Sequence, residues 1–350
     1  MTEELYARLR EYMDELPGGY PATDTGVEIR ILKKLFSRED AELTLQLKNE
    51  AEEVPAIAGR IGMDPVTAGE KLEDMAKRGL IFRIREGGNV LYRPISFVVG
   101  IYEFQLNRLD LEFVKMWEEY VPYLGLTLAP LENKQLRIAP ADSAVQDLRA
   151  VETYNRVRDM VKEQELVAMM PCICRRKEGM LGNPCDRPED LCFSFGQFGQ
   201  YVLDNEMGKQ ISTDEALRLL DVAEESALVL SPSNTQELAF LCCCCGCCCG
   251  QLTRLKMLPN PADYCRSYYL ARIDPDSCTA CGDCMDRCQV DAIKEGDFME
   301  VDPARCIGCG LCVPTCPTEA IELVAKEDSK TPAKDFDELL ENLAKERGVV

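Results

Sequence analysis

Two cysteine runs near the end of the chain share one spacing. Cys278-Thr-Ala-Cys281-Gly-Asp-Cys284-Met-Asp-Arg-Cys288 reads C-x2-C-x2-C-x3-C, and Cys306-Ile-Gly-Cys309-Gly-Leu-Cys312-Val-Pro-Thr-Cys316 repeats it. The offset is 28 residues (306 − 278), and it also superposes Asp274-Pro275 on Asp302-Pro303 and Ala292-Ile293 on Ala320-Ile321. The duplication therefore extends beyond the thiols. Three cysteines at i, i+3 and i+6 wrap a loop around a shared centre, and the fourth opens the next element.

The rest of the composition narrows what that centre can be. The 350 residues contain 20 Cys and no His, which removes His-ligated zinc and haem, Rieske centres and every Cys-His or Ser-His-Asp nucleophile. The charge of −21 is a poor match for nonspecific phosphate binding. The N-terminus lacks the basic and apolar regions of a secretory signal, and no run of about 20 apolar residues is present. A reducing cytoplasm is the expected setting, where dense cysteines bind metal rather than form disulfides.

With eight positions matched over about 50 residues, the repeat resembles the bacterial two-cluster ferredoxin. The resemblance implies two [4Fe–4S] clusters, with the fourth cysteine of each run serving the other cluster. One cluster would take Cys278, Cys281, Cys284 and Cys316, and the second Cys306, Cys309, Cys312 and Cys288. Gly282, Gly308 and Gly310 suit tight turns beside sulfur. Gln289 stands where the first repeat would often carry proline, a departure that touches no ligand. Four thiolates also suit zinc, but two independent zinc knuckles have no reason to interleave with a fixed offset.

The other twelve cysteines lie between Cys172 and Cys265. Cys172, Cys174, Cys185 and Cys192 form one group. The run Cys242-Cys-Cys-Cys245-Gly-Cys247-Cys-Cys249 forms another, in which Cys242, Cys245 and Cys248 keep i, i+3, i+6 spacing and Cys244 and Cys247 make a further C-x2-C pair. Seven cysteines in eight positions are not core packing, since a core would use branched aliphatics. The expectation is one or two additional iron–sulfur clusters drawing on both groups. One set would combine Cys172 or Cys174 with Cys185, Cys192 and a cysteine of the run; a second would come mainly from the run. Zinc and a thiol relay are the alternatives. Arg175 and Arg176 would offset cluster charge or form a solvated pair, and Cys265 reads as structural.

Elsewhere the pattern predicts an α+β, multidomain chain. Residues 1–100 carry a winged helix-turn-helix-like domain, with a capping box at Thr25 and Glu28, helices near 54–61 and 65–78, a C-cap at Gly79 and a hairpin over 81–94. Acids stand where a DNA-reading helix would need cations, and only Arg83, Arg85 and Arg93 make the hairpin basic, so protein docking or homodimerisation is favoured over DNA binding. Residues 101–165 form a helical connector, with an amphipathic helix over 102–120 and Trp117 in the core. Residues 166–270 form a mixed α/β Cys-rich domain with a capping box at Ser212, and 271–326 the ferredoxin module. Residues 327–350 are a linker and a last helix.

The succession of winged-helix-like start, C-x-C-R segment, Cys-rich run and terminal module is similar to uncharacterised ferredoxin-type proteins of anaerobic bacteria and archaea, which implies electron transfer and no assigned reaction. No P-loop or dinucleotide fingerprint occurs. The expected role is low-potential electron transfer with a partner oxidoreductase that offers a basic docking face. The alternatives are a redox-sensing transcriptional regulator and an oxidoreductase reducing a substrate at a middle-domain cluster.

Overall fold

The computed structural model describes residues 2–145, 152–327 and 330–349, and it mixes helix and sheet as an α+β chain. The chain divides into two compact units. One comprises Met1–Asn133, Gln200–Met207 and Leu340–Val350, the other Lys134–Gly199 and Gly208–Leu339. Among the described residues no helix is long and apolar enough to cross a membrane.

The first unit contains α1 (Thr2–Glu15), α2 (Val27–Leu35), α3 (Arg38–Thr44), β1 (Glu52–Glu53), α4 (Val54–Ile61), α5 (Pro65–Lys77), β2 (Phe82–Glu86), β3 (Asn89–Arg93) and α6 (Leu111–Leu128). β2 and β3 form an antiparallel hairpin, and β1 adds to the free side of β3, giving the order β1-β3-β2. Asp64 caps α5 by accepting from the Thr67 N–H at 2.8 Å, and Gly79 follows with φ +75°.

Three local readings change. The cap of α2 is Gly26 in the left-handed region, which leaves Thr25 outside the helix, and the Glu28 carboxylate accepts from Thr23 instead. Helix α3 was not expected. Ser37 starts it with a capping box in which Asp40 replaces the usual Glu or Gln. The 102–120 stretch is also not one helix. A 3-10 segment covers Glu103–Arg108, Leu109 is extended, and Asp110 caps α6 by accepting from the Phe113 N–H at 2.7 Å.

Trp117 is buried and stacks on Tyr102, with ring centroids 3.8 Å apart. The hairpin cations are engaged within this unit. Arg83, 2% exposed, pairs with Glu73 at 2.7 Å and Asp204 at 3.2 Å. Arg85 reaches Asp204 at 2.6 Å, and Arg93 lies over the Phe82 ring.

The second unit begins with β4 (Arg137–Ile138) and α7 (Val157–Lys162). It continues through β5 (Val167–Met170), α8 (Ile173–Met180), β6 (Cys192–Phe195), the first residues of α9 (Gly196–Asp204), which from Gln200 on belongs to the first unit, then β7 (Lys209–Ile211), α10 (Thr213–Glu225), β8 (Val229–Pro232), β9 (Phe240–Cys244) and α11 (Gly250–Met257). Five of these strands form an antiparallel sheet in the order β7-β5-β6-β9-β8. Ser212 caps α10, accepting from the Glu215 N–H at 3.1 Å, as the sequence predicts.

The remainder comprises β10 (Arg266–Ser267), β11 (Tyr269–Ile273), α12 (Asp283–Arg287), β12 (Ile293–Lys294), β13 (Glu300–Val301), β14 (Ile321–Ala325) and the start of α13 (Phe336–Arg347), which from Leu340 on belongs to the first unit. The 28-residue repeat is visible in its backbone. Ile273 pairs with Ile321 in the β11–β14 ladder, and Val301 pairs with Ile293 in β12–β13. Asp274 N–H donates to Ala320 O, and its counterpart Asp302 N–H to Ala292 O. The left-handed positions recur as Ala280/Gly308, Gly282/Gly310 and Asp291/Glu319. At Gly308 the conformation and the space both exclude a side chain, because a Cβ would lie 2.0 Å from the Tyr269 carbonyl oxygen.

Candidate metal centres

Two hollows open within the duplicated segment. The first, about 290 Å³, is lined by Cys278, Cys281, Cys284 and Cys316 together with Ile273, Met299 and Ile321. The second, about 350 Å³, is lined by Cys288, Cys306, Cys309 and Cys312 together with Ile293, Ile307 and Leu311. Each hollow thus collects three thiols of one run and the fourth thiol of the other.

Backbone N–H groups point at the sulfurs in matching pairs. Ala292 donates to Cys288 Sγ and Ala320 to Cys316 Sγ, both at 3.2 Å. Met299 donates to Cys278 Sγ at 3.4 Å, and Ala271 to Cys306 Sγ at 3.5 Å. Such donors favour the charged form of sulfur. At Cys316 burial works against ionisation, yet hydrogen bonds from Thr318, Ala320 and Ile321 bring the thiol below its usual range. Burial pushes Cys309 up to about 12 and raises Cys284, Cys306 and Cys312.

The ten thiols predicted as ligands in the Cys-rich region separate into two constellations. Cys185, Cys245, Cys247 and Cys248 have their sulfurs all within 4.8 Å of one another. Cys185 lies 4.0 Å from Cys245 and 3.7 Å from Cys247, and Cys247 lies 3.6 Å from Cys248. The other six form a wider ring. Thiol–thiol hydrogen bonds join Cys172 to Cys174, Cys174 to Cys249, Cys249 to Cys244, Cys244 to Cys242 and Cys242 to Cys192, and Cys172 lies near enough to Cys242 and Cys244 to repel their charged forms.

Strand geometry explains the separation. Cys242 and Cys244 are two residues apart on β9 and share a face, and Cys192 is the register partner of Cys242 on β6. Cys243 points to the opposite face. After Cys244 the strand ends, and the chain turns at Gly246, delivering Cys245, Cys247 and Cys248 to Cys185 on the loop after α8. The i, i+3, i+6 register of Cys242, Cys245 and Cys248 therefore does not describe the grouping, and Cys185 lies apart from Cys172, Cys174 and Cys192.

The electrostatics differ between the two constellations. In the ring, thiol–thiol hydrogen bonds and burial hold Cys172, Cys242 and Cys244 well above the usual thiol range. Cys172 lowers Cys174, but Cys249 and burial outweigh it and carry the thiol up to about 12. In the four-thiol group, burial opposes ionisation of Cys185, yet the Arg187 backbone N–H and the Cys248, Cys247 and Cys245 thiols bring it down to about 7, while burial and the neighbouring thiols push Cys247 up to about 11 and raise Cys248.

Arg175 serves both constellations. Arg175 is 4% exposed, Nη2 donates to the Cys243 carbonyl at 2.8 Å, and among the described residues Nε and Nη1 have no close acceptor beyond the group's interaction with the Cys245 thiol. Its charge acts on Cys172, Cys245 and Cys244. A buried guanidinium left this bare fits a strongly anionic load on the surrounding sulfurs. Arg176 instead pairs with Glu189 at 2.7 Å. Arg187 Nη1 donates to Cys247 Sγ at 3.5 Å, a contact that sequence reasoning missed although Arg187 lies two residues after Cys185.

The four-thiol turn also touches the duplicated segment. The Gly246 N–H donates to Gln289 Oε1 at 2.9 Å, and Gln289 directly follows Cys288 of the second hollow. The departure from proline at this position is thus a contact. Arg287 reinforces it by donating to the Glu224 and Glu225 carbonyls at the end of α10, each at 2.7 Å. Cys265 lines neither hollow and is buried beside the Ala262 carbonyl at 3.9 Å, with burial pushing it up to about 11 and Cys306 of the second hollow adding to the rise.

A family model described as a 4Fe-4S dicluster domain matches residues 271–323, the span that contains both hollows. No curated protein and no solved structure matches the chain. Residues 271–323 are accordingly a ferredoxin-type iron–sulfur module within a longer chain.

Proposed function

We propose that this chain is a low-potential electron carrier, with one [4Fe–4S] cluster held by Cys278, Cys281, Cys284 and Cys316 and a second by Cys306, Cys309, Cys312 and Cys288. The observation that carries the reading is the collection of these two thiol sets around separate hollows inside a dicluster domain. A bound cluster supplies one-electron redox chemistry. The protein's part is to set its potential and to choose partners. N–H groups aimed at the sulfurs raise the potential, and the exposed acids Asp283, Asp286, Glu295 and Asp297 lower it. The same acids favour a redox partner with a basic docking face.

The six-thiol ring holds a further iron–sulfur cluster. Its thiols interact in succession without all lying within 4.8 Å of one another, and Arg175 supplies a buried counter-charge. The Gln289–Gly246 contact gives electrons a short covalent and hydrogen-bonded route between the ring's strand and Cys288. The helix order of the first unit and its three-stranded sheet support the winged-helix reading. The carboxylates on Arg83 and Arg85 favour a protein-docking use of it over a DNA-binding regulator. The cytoplasm is the proposed setting, consistent with twenty free thiols.

Anaerobic purification of the full chain followed by iron and acid-labile sulfide analysis tests this. About 12 iron per chain and an EPR signal from interacting reduced clusters are expected. Fewer than about 8 iron would refute the dicluster assignment, and about 8 would refute the cluster in the ring.

A further inference from the structure

The four-thiol group differs in scale from the other thiol sets, and the difference bears on what it binds. The hollows of the duplicated segment keep their sulfurs apart, each approached by backbone N–H groups and apolar side chains. The ring's thiols do not form a mutually close group among the described residues. Among the described residues, Cys185, Cys245, Cys247 and Cys248 are the group in which all ligand atoms lie within 4.8 Å of one another, and three of the separations are 3.6, 3.7 and 4.0 Å.

A tetrahedral ion with metal–sulfur bonds of about 2.3 Å has its sulfurs about 3.8 Å apart. A four-iron cubane puts each thiolate on a different iron, so its protein sulfurs stand further apart than that. We infer that Cys185, Cys245, Cys247 and Cys248 bind a single tetrahedral metal ion of the zinc class, and that this site is a structural clasp rather than a fourth redox cluster.

Three further observations fit. The donor set is four thiolates with no open position, the arrangement of closed structural zinc sites. Arg187 supplies two contacts outside the ligands, its backbone N–H to Cys185 and Nη1 to Cys247 at 3.5 Å, which orient sulfur and offset the two negative charges of a four-thiolate zinc site. The ligands also join distant pieces of chain, the loop after α8 and the turn after β9, and that turn bears on Gln289. An ion here fixes the turn against the dicluster module. It moves no electrons, since zinc has no accessible second oxidation state.

Elemental analysis of the anaerobically purified full chain by mass spectrometry, after dialysis against EDTA, tests the inference. One zinc per chain is expected, retained beside the iron. Zinc K-edge X-ray absorption should show four sulfur neighbours at about 2.3 Å and no metal neighbour. The variants Cys185→Ser and Cys247→Ser should lose most of the zinc while keeping wild-type iron content and EPR spectrum. Zinc below about a tenth of an equivalent in the wild type, with the site carrying iron or a disulfide, would overturn the inference, as would loss of about four iron in Cys185→Ser. Because zinc and iron are counted separately, failure here leaves the dicluster assignment standing, and failure of that assignment leaves this site standing.

Discussion

Replacing Gly246 with alanine presses on the point where the cysteine turn meets the dicluster module. A Cβ at 246 would lie 2.3 Å from the Gln289 carbonyl oxygen and 3.2 Å from its carbonyl carbon. An ordinary C···O contact is about 3.3 Å, so the two segments would have to part by about 1 Å. The obstacle is backbone and cannot rotate away, and parting also strains the 2.9 Å bond from Gly246 N–H to Gln289 Oε1. Overpacking of this kind costs about 1–3 kcal/mol, and loss of the hydrogen bond adds about 0.5–1.5 kcal/mol. A total of about 1.5–4.5 kcal/mol in a unit of this size lowers Tm by about 3–18 °C. Thermal scans under argon at one fixed rate, followed by circular dichroism and by cluster absorbance, measure it. Gln289→Ala should show only the hydrogen-bond share, and the double variant should remain as unstable as Gly246→Ala, because the blocking atom is main-chain. A Gly246→Ala protein melting within about 1 °C of wild type, or rescue of it by Gln289→Ala, would refute the contact.

Three other outcomes follow. In metal-free protein, Cys185 is pulled down to about 7 and burial holds Cys243 up at about 12, so iodoacetamide at pH 7 should label Cys185 first and leave Cys243 unmodified, as read by peptide mass spectrometry. Replacement of the bare Arg175 guanidinium, as in Arg175→Gln, should shift the potential of the ring cluster downward in an EPR-monitored titration and leave the two dicluster signals in place. Burial pushes Glu103 up to about 7 against the hydrogen bonds from Gly100, Glu103 and Val99. The folded chain therefore holds a proton that the unfolded chain releases between about pH 4.5 and 7, and stability falls as pH rises through that window, by at most about 3 kcal/mol. Urea midpoints at pH 5 and pH 7.5 should converge in Glu103→Gln.

The dicluster segment was the most legible part of the sequence, because its information lies in spacing. An offset of 28 residues recurs in the thiols, the Asp-Pro pairs and the Ala-Ile pairs, and the backbone repeats the same relation through Asp274 and Asp302. The run from Cys242 to Cys249 was legible as metal-binding but not as two sites, since seven like residues in eight carry no period. Its division depends on the register of β9, set by the pairing of Cys242 with Cys192 on a strand 50 residues earlier, and on where β9 stops, at Cys244 opposite Val229 on β8. Helix α3 was missed because it has only seven residues and its cap uses Asp40. The stretch after Tyr102 read as continuous because its apolar spacing survives the break at Leu109 and Asp110.

The position after the fourth cysteine breaks the symmetry of the repeat. It is Gln289 in the first run and Pro317 in the second, and the glutamine reaches another part of the unit, at Gly246. Cys281 of the first hollow is exposed, while the thiols of the second are buried or half-buried beside the cysteine turn. A duplicated module is by construction indifferent to which half faces inward. Here one side chain gives it a polarity, with an exposed Cys281 in one half and, next to Cys288, a contact to the cysteine turn in the other.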